Sequence, residues 1–560
     1  MKSKTSFFNL SLLRKDLVRF APAWALYGAY LLLMFGGSVI SDNQASMATI
    51  LADSLVGFSF GNFFYAMVCA QLLFGDLFQS RLCNALHALP IRRESWFATH
   101  LVAGLLFAAI PVAITGTVFL AVLGDFWMAA LLWMAGLMLQ FLFCFAVATL
   151  SIMLVGNRFA AVVVYTILNF LSAIGLWLFT YLYQPHFYGF LSNEADFLRL
   201  SPVLWMVQFD WFNASGVSGR LTLGEGWGYL GICTAVALVL LAVALVLYRK
   251  RPLEKAGDFI VFGPTAPVFL VLYTFSAGTA FHLFSELFVA TEIEFLFLLV
   301  GLAIGFFTGL MLLQRTIRVF RAKAFARFGI LMGIFGLTLL LTIVDPFGIT
   351  RWVPEQKDVK WAAVNYYSMT DMEAHAFDAD DQAILAEILS IHQHGVDHPE
   401  AADNGKSDVR VTISYGLKSG QTVRRQYYID LDSLAAVTLK HVLSQPEILF
   451  GSQYQTAEDL LDAMESMEIQ QEKAGIGYRS EKITDREKLA ALTQALYADA
   501  QAGNLCQLWD FLKDEQTPYE LSLQGEAQRN GNGYFYNEYW YLSITESATN
   551  TMAWIEENLE

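Results

Sequence analysis

Nine stretches of mostly apolar residues constrain this chain more than anything else in it. They are residues 21–40, 55–74, 101–123, 127–155, 159–181, 227–248, 267–288, 295–313 and 328–344. About twenty such residues cross the roughly 30 Å of a bilayer's hydrocarbon. No water reaches the backbone there, so each run must satisfy its own N–H and C=O groups as a helix. The fourth run is long enough to tilt, and the ninth is the shortest. The apolar runs stop near Asp345, and the charge changes with them. Residues 1–345 carry 20 Lys and Arg against 16 Asp and Glu, whereas 346–560 carry 16 against 35. The expected fold is a polytopic α-helical membrane protein of about nine spans with an acidic, soluble C-terminal α+β domain.

The basic residues orient the helices. With the N-terminus inside, five precede the first span, three lie in 76–97, one is Arg158, four lie in 249–255 and five in 314–327. Only Arg199 and Arg220 then fall outside, in the loop 184–226. So strong a bias favours a cytoplasmic N-terminus, and an odd number of spans puts the tail outside. Residues 1–20 set Phe7, Phe8, Leu10, Leu13, Leu17 and Phe20 at near-helical spacing among Lys2, Lys4, Arg14, Lys15 and Arg19. They read either as an amphipathic helix on the inner membrane surface or as a charged anchor for the first span. No removable signal peptide is evident.

Loop 184–226 is rich in aromatic residues, among them Phe187, Tyr188, Phe190, Phe197, Trp205, Phe209, Trp211 and Phe212. It reads as a cap seated at the headgroups, or as a contact for lipophilic cargo. Gly301, Gly305 and Gly309 in the eighth run and Gly329 and Gly333 in the ninth predict that these two helices pack on each other. In the tail, strands are expected at 359–367, 409–415 and 422–429, with a turn at Gly416-Leu-Lys-Ser-Gly420. Helices are expected at 380–392 and 485–502, a hairpin from 519–523 and 534–544, and a closing helix at 545–559. The order suggests two related βαββ halves. The five cysteines imply no disulfide framework, and Cys506 is the tail's single thiol.

Several chemistries lack their residues. A phosphate-cradling loop needs GxxxxGK[ST]. Here Gly405-Lys406-Ser407 is preceded, five positions before Gly405, by Glu400. The chain is therefore read as no ATPase by itself. His394-Gly-Val-Asp-His398 lacks the Glu of HExxH, and His392 with Asp397 does not complete a familiar metal spacing. No catalytic, cofactor or metal residue is assigned. Within the spans the polar residues are few: Asn62, Gln71, Gln140, Asn169, His282 and Glu286. Hydrogen bonding between helices is their plain role, and their scarcity argues against an ion-driven carrier.

The polar island 76–97 lies between the second and third spans. Residues 80–89 suit a short helix with Leu82, Leu86 and Leu89 on one stripe, stopped by Pro90. Arg81 and His87 lie off that stripe, and Arg92, Arg93 and Glu94 follow as a polar patch. It reads as a docking element for a soluble partner, or as a plain surface helix with cationic lipid anchors.

With its basic amphipathic start, six spans to residue 250, and the piece Leu86-His-Ala-Leu-Pro-Ile-Arg-Arg93, residues 1–250 resemble permease subunits of type-2 ATP-binding-cassette exporters. The resemblance implies that the surface helix and the island meet a separate nucleotide-binding subunit, through Arg81, Leu86, Leu89, Pro90, Arg92 and Arg93. It implies a second permease as partner, identical or related, with ATP bound by the partner ATPase alone. The setting is a bacterial plasma membrane, with lipid contacts and no nucleic acid. The division is 1–20 surface helix, 21–250 permease core, 251–345 three further spans, and 346–560 an extracytoplasmic domain that departs from the six-span pattern. Peptide, drug or lipid-like cargo is expected. A membrane receptor or sensor whose outer domain binds ligand is the alternative.

Overall fold

The computed structural model describes residues 8–41, 47–88, 91–123, 127–191, 198–207, 212–215, 220–224, 226–286, 294–366, 376–399, 408–451, 454, 456–473, 477–506, 518–529 and 535–558. The chain divides into two compact units. One comprises Met1–Phe179 with Glu194–Gly336, the other Thr180–Asn193 with Leu337–Glu560.

The first unit is helical. Its elements are α1 (Leu10–Arg19), α2 (Ala21–Ser41), α3 (Met47–Leu73), α4 (Ser80–His87), α5 (Arg93–Leu123), α6 (Trp127–Leu154), α7 (Arg158–Leu178), α8 (Gly226–Lys250), α9 (Thr265–Glu286), α10 (Glu294–Gln314) and the larger part of α11 (Ala322–Val344), whose residues from Leu337 on belong to the second unit. Among the described residues, eight helices are long and apolar enough to cross a membrane, or nine if the bent pair α1–α2 counts as one more. That bend is 59°. It falls at Phe20, where a short amphipathic helix gives way to an apolar one. The side chain of Asn9 starts α1 by accepting from the Leu12 N–H at 3.1 Å, the usual work of an N-cap. The ninth run is a full helix of 23 residues.

Helix α6 is the most enclosed of the long helices. Trp133, Phe141 and Phe145 on it are fully buried, as is Phe107 of α5, with Tyr165 of α7 close to fully so. Gly104 allows α5 to approach α6, since a Cβ there would lie 2.2 Å from the Phe145 ring.

One packing expectation holds only in part: α10 and α11 meet through Phe306 and Phe307 against Phe328, but not through their glycines. The glycines of α10 face α9, not α11. A Cβ on Gly301 would meet Phe281 and Gly278, one on Gly305 would meet Ala277 and Thr274, and one on Gly309 would meet Leu270 and Tyr273, each within about 3 Å. Gly329 and Gly333 of α11 have nothing within 4 Å of a would-be Cβ. Close approach needs small residues on both faces. Helix α9 supplies them, in Gly278, Ala277 and Thr274.

The second unit holds two antiparallel sheets. The aromatic loop is divided between the two units. Its β1 (Phe190–Leu191) joins a sheet of this unit, whereas β2 (Phe212–Ser215) and β3 (Arg220–Leu223) form a separate hairpin in the first. The first sheet runs β1-β7-β6-β4-β5, with β4 (Val359–Tyr366), β5 (Ala376–Asp378), β6 (Asp408–Leu417) and β7 (Thr422–Asp430). Helix α12 (Gln382–Asp397) lies between β5 and β6, and α13 (Leu434–Leu443) follows β7. Gly420, at φ +86°, closes the β6–β7 turn in a conformation that favours glycine.

After α14 (Ala457–Ala463) the same plan returns. Strands β8 (Met464–Lys473) and β9 (Gly477–Ile483) precede α15 (Arg486–Gln501). Strands β10 (Tyr519–Arg529) and β11 (Phe535–Ile544) precede α16 (Thr549–Asn558). Their sheet order is β11-β10-β8-β9. Without β1, the first sheet reads fourth-third-first-second strand, and so does the second. The repeat is therefore ββαββα rather than βαββ, because each half opens with a hairpin. Each half has its own core, one around Ile388, Ile413 and Leu439, the other around Leu492, Leu523 and Ile544.

Candidate functional site

The island 76–97 is built onto the ends of three helices, α3, α5 and α8. Helix α3 ends in a 3-10 turn, Gly75–Phe78, whose Leu77 and Phe78 are buried. Helix α4 follows, with Cys83 buried and Arg81, Leu82 and Asn84 exposed. Helix α5 then begins at Arg93. Its first turns carry His100, which is buried 3.0 Å from Asp16 of α1. The Thr99 hydroxyl accepts from the Asn9 N–H at 3.1 Å. The N-terminal helix and the island thus share one end of the first unit.

Two arginines hold that end together from inside. Nη1 of Arg93 donates to the carbonyls of Arg249 (3.1 Å) and Arg251 (3.3 Å), at the close of α8. Beside it Glu94 pairs with Arg249 at 3.0 Å. Arg251 is 2% exposed. Its Nη1 donates to the Ile152 (2.7 Å) and Met153 (3.1 Å) carbonyls, and its Nη2 to the Leu77 carbonyl (3.3 Å). Cations suit the carbonyl-rich ends of helices. Burial lowers the Arg251 pKa to about 10, which still leaves it charged at neutral pH.

Of the residues singled out from the sequence, Arg81 and Arg92 are exposed, and Arg93 is half-buried with its guanidinium engaged within the chain. Leu86 lies in α4, but its side chain is outside the described residues, as are Leu89 and Pro90 altogether. Sequence reading missed Arg251 and His100. The one signal was a basic residue directly after an apolar run, which reads equally well as a surface anchor.

The polar residues inside the long helices bond to each other and to neighbouring backbones. The Tyr27 hydroxyl donates to Asn62 Oδ1 at 2.6 Å, Asn62 Nδ2 donates to Gln140 Oε1 at 3.1 Å, and Gln140 Nε2 donates to the Leu55 carbonyl at 3.1 Å. This ties α2, α3 and α6 together. Gln71 donates to the Arg158 carbonyl at 3.1 Å, and Asn169 to that of Tyr165 at 2.9 Å. His282 lies with its ring 4.8 Å from Trp177, and the side chain of Glu286 is outside the described residues. Gly57-Phe58-Ser59-Phe60-Gly61 has the GxSxG spacing. A nucleophile elbow needs a strand-to-helix turn. Ser59 sits inside α3 and donates to the Leu55 carbonyl at 3.1 Å.

In the second unit, Gly405-Lys406-Ser407 lies outside the described residues. The histidines of α12 separate. His394 and His398 stack at 4.1 Å, while His392 turns into the core between Tyr415 and Tyr427, at 5.5 and 5.3 Å. Among the described residues no group of three His, Cys, Asp or Glu is placed to hold a metal. A groove of about 850 Å³ opens between α12, α13 and Ala502–Asn504, with Glu387 and His441 paired across it at 2.8 Å. Cys506 is buried, so maleimide labelling of this thiol would need the unit to open.

His392 makes the first half acid-sensitive. It is fully buried, and neither ring nitrogen has a hydrogen-bond partner among the described residues. Burial, and then the Arg425 guanidinium, push its pKa down to about 3. The unfolded chain therefore takes up this proton near pH 6.5 and the folded chain does not. The stability involved is fully present above about pH 6.5 and declines as pH falls toward about 3. Hydrogen exchange of β6 and β7 should speed up across that window, and His392→Phe should move the loss to lower pH. An unchanged acid profile in the variant would refute the assignment.

No family model, curated protein or solved structure matches this chain.

Proposed function

We propose that this chain is the membrane subunit of an ATP-driven exporter in a bacterial plasma membrane. Its N-terminus lies in the cytoplasm and residues 346–560 lie outside. It works with a second permease subunit and with separately encoded ATP-binding-cassette ATPases, which alone bind ATP. The observation that carries this reading is the convergence of α1, α4 and the start of α5 on one end of the helical unit, with Arg81 and Arg92 exposed there. A short helix fixed to the ends of α3, α5 and α8 can pass a displacement from a soluble motor to all three. Arg93 and Glu94 bind α5 to α8, so the two move together. The motor's closure would shift the balance between inward- and outward-facing states.

Purification from native membranes should bring down an ATPase. Arg81→Glu with Arg92→Glu should lower its chain-dependent ATP turnover by roughly tenfold or more, since like charges set against an interface weaken docking. If no ATPase accompanies the chain, or turnover ignores both changes, the exporter reading fails.

The groove beside Glu387 and His441 favours a second reading, a receptor whose outer domain binds a ligand. Its mark would be ligand affinity lost on Glu387→Ala while no ATPase co-purifies.

A further inference from the structure

A cavity of about 590 Å³ opens at the end of α3, between α1 and α7. Its walls differ in kind. At one end lie the guanidiniums of Arg19 and Arg158, the carboxylate of Asp76 and the amide of Gln71. Along the side lie Phe64, Val68 and Val162, which are 66%, 49% and 42% exposed.

The two arginines are positioned rather than loose. Arg19 closes α1 and lies over the Phe20 ring at 5.1 Å. Arg158 opens α7, and its Nη2 lies 3.3 Å from where a Cβ on Gly75 would sit, so the missing side chain makes room for the guanidinium. Among the described residues neither arginine forms an ion pair. The cavity thus carries two guanidiniums against one carboxylate, that of Asp76, which Arg19 favours in its charged form, beside an exposed apolar wall.

We propose that this cavity binds one anionic phospholipid, its phosphate between Arg19 and Arg158 and an acyl chain along Phe64, Val68 and Val162. Charge complementarity selects the occupant. A net positive rim takes a phosphodiester that has no compensating cation, and Gln71 and Asp76 can bond the hydroxyls of a polyol headgroup. A soluble anion would leave the apolar wall uncovered, and a neutral lipid would leave the net positive charge of the rim uncompensated. This inference rests on the long helices crossing a membrane but not on any coupling to an ATPase, so it stands or falls separately from the exporter reading.

The test uses the full chain in detergent, titrated with phosphatidylglycerol, with phosphatidylcholine, and with inorganic phosphate alone. Lipid retention is read by native mass spectrometry. Phosphatidylglycerol should be retained over phosphatidylcholine, and Arg19→Gln and Arg158→Gln should each weaken retention roughly fivefold. The control Arg318→Gln, an exposed arginine of the loop after α10, should leave it unchanged. Equal retention of both lipids, equal loss in the control, or inorganic phosphate displacing the lipid's effect would overturn the proposal. Should the variants misfold, a photoactivatable phosphatidylglycerol decides on the wild-type chain. Crosslinks within 64–68 or 158–162 support the site, and crosslinks spread over the helices reject it.

Discussion

Asp499→Ala should release α16 from the second unit. Asp499 is fully buried near the end of α15. Its carboxylate accepts from the Asn550 N–H (3.2 Å) and Nδ2 (2.8 Å), and from the Thr551 N–H (2.7 Å) and Oγ1 (2.7 Å). Two of these donors are backbone groups in the first turn of α16, which have no partner inside the helix. A carboxylate at that position also meets the positive end of the helix. Asp499 therefore caps a helix that begins some fifty residues later in the chain. Alanine would strand the two Thr551 donors in a buried setting and free those of the exposed Asn550, at a cost of about 3 kcal/mol. In the full chain, amide exchange across 549–558 should accelerate about a hundredfold. Asp499→Asn keeps the shape but turns an NH2 toward donors, and it should fail nearly as badly. Exchange unchanged in both variants would show that α16 is held by Thr551 and Ile555 packing alone.

Arg251→Met should loosen the end of the first unit by a similar amount. The guanidinium spans the last carbonyls of α6 and the turn after α3, and among the described residues no carboxylate pairs with it. Methionine fills the space but leaves three buried carbonyls without a donor. The expected cost is about 3 kcal/mol. Arg251→Lys keeps the charge but not the planar fork, so it should recover little. Thermal unfolding in detergent should fall by about 6 °C or more for either change. A shift within about 2 °C of wild type would mean that Arg251 merely occupies space.

What could be read in advance depended on how local the physics was. Long apolar runs became long helices because their length and composition leave few alternatives. The tail's β6–β7 hairpin was legible from alternating Val409, Val411 and Ile413 and a glycine turn. The β8–β9 hairpin was not. Its strands are rich in Glu, Gln, Lys and Met, which favour helices, and a few scattered apolar residues, Met464, Met467, Ile469 and Ile483, mark the buried face. Pairing with β10 decides that segment, and such pairing has no local signature. The same holds for glycine faces. The spacing in α10 announced a close neighbour, but only α9's own Ala277 and Gly278 determined which one. In the island, Arg81, Arg92 and Arg93 look alike as letters. Arg93 alone turns inward, because the carbonyls that end α8 arrive beside it from more than 150 positions along the chain.

The twice-used strand order of the second unit carries a folding hazard. Each half places its late hairpin against the first strand of its early one, β6 on β4 and β10 on β8. Either late hairpin thus finds two similar edges within one chain, and a wrong docking would still satisfy most backbone groups. Side chains must reject the exchange, since topology does not. Leu521 and Leu523 of β10 meet Ile469 and Met467, whereas Ile413 and Tyr415 of β6 meet Val364 and Ala362. The broad Tyr415 ring lies opposite the small Ala362, whereas Leu523 lies opposite the larger Met467, so traded partners would set unequal volumes against each other.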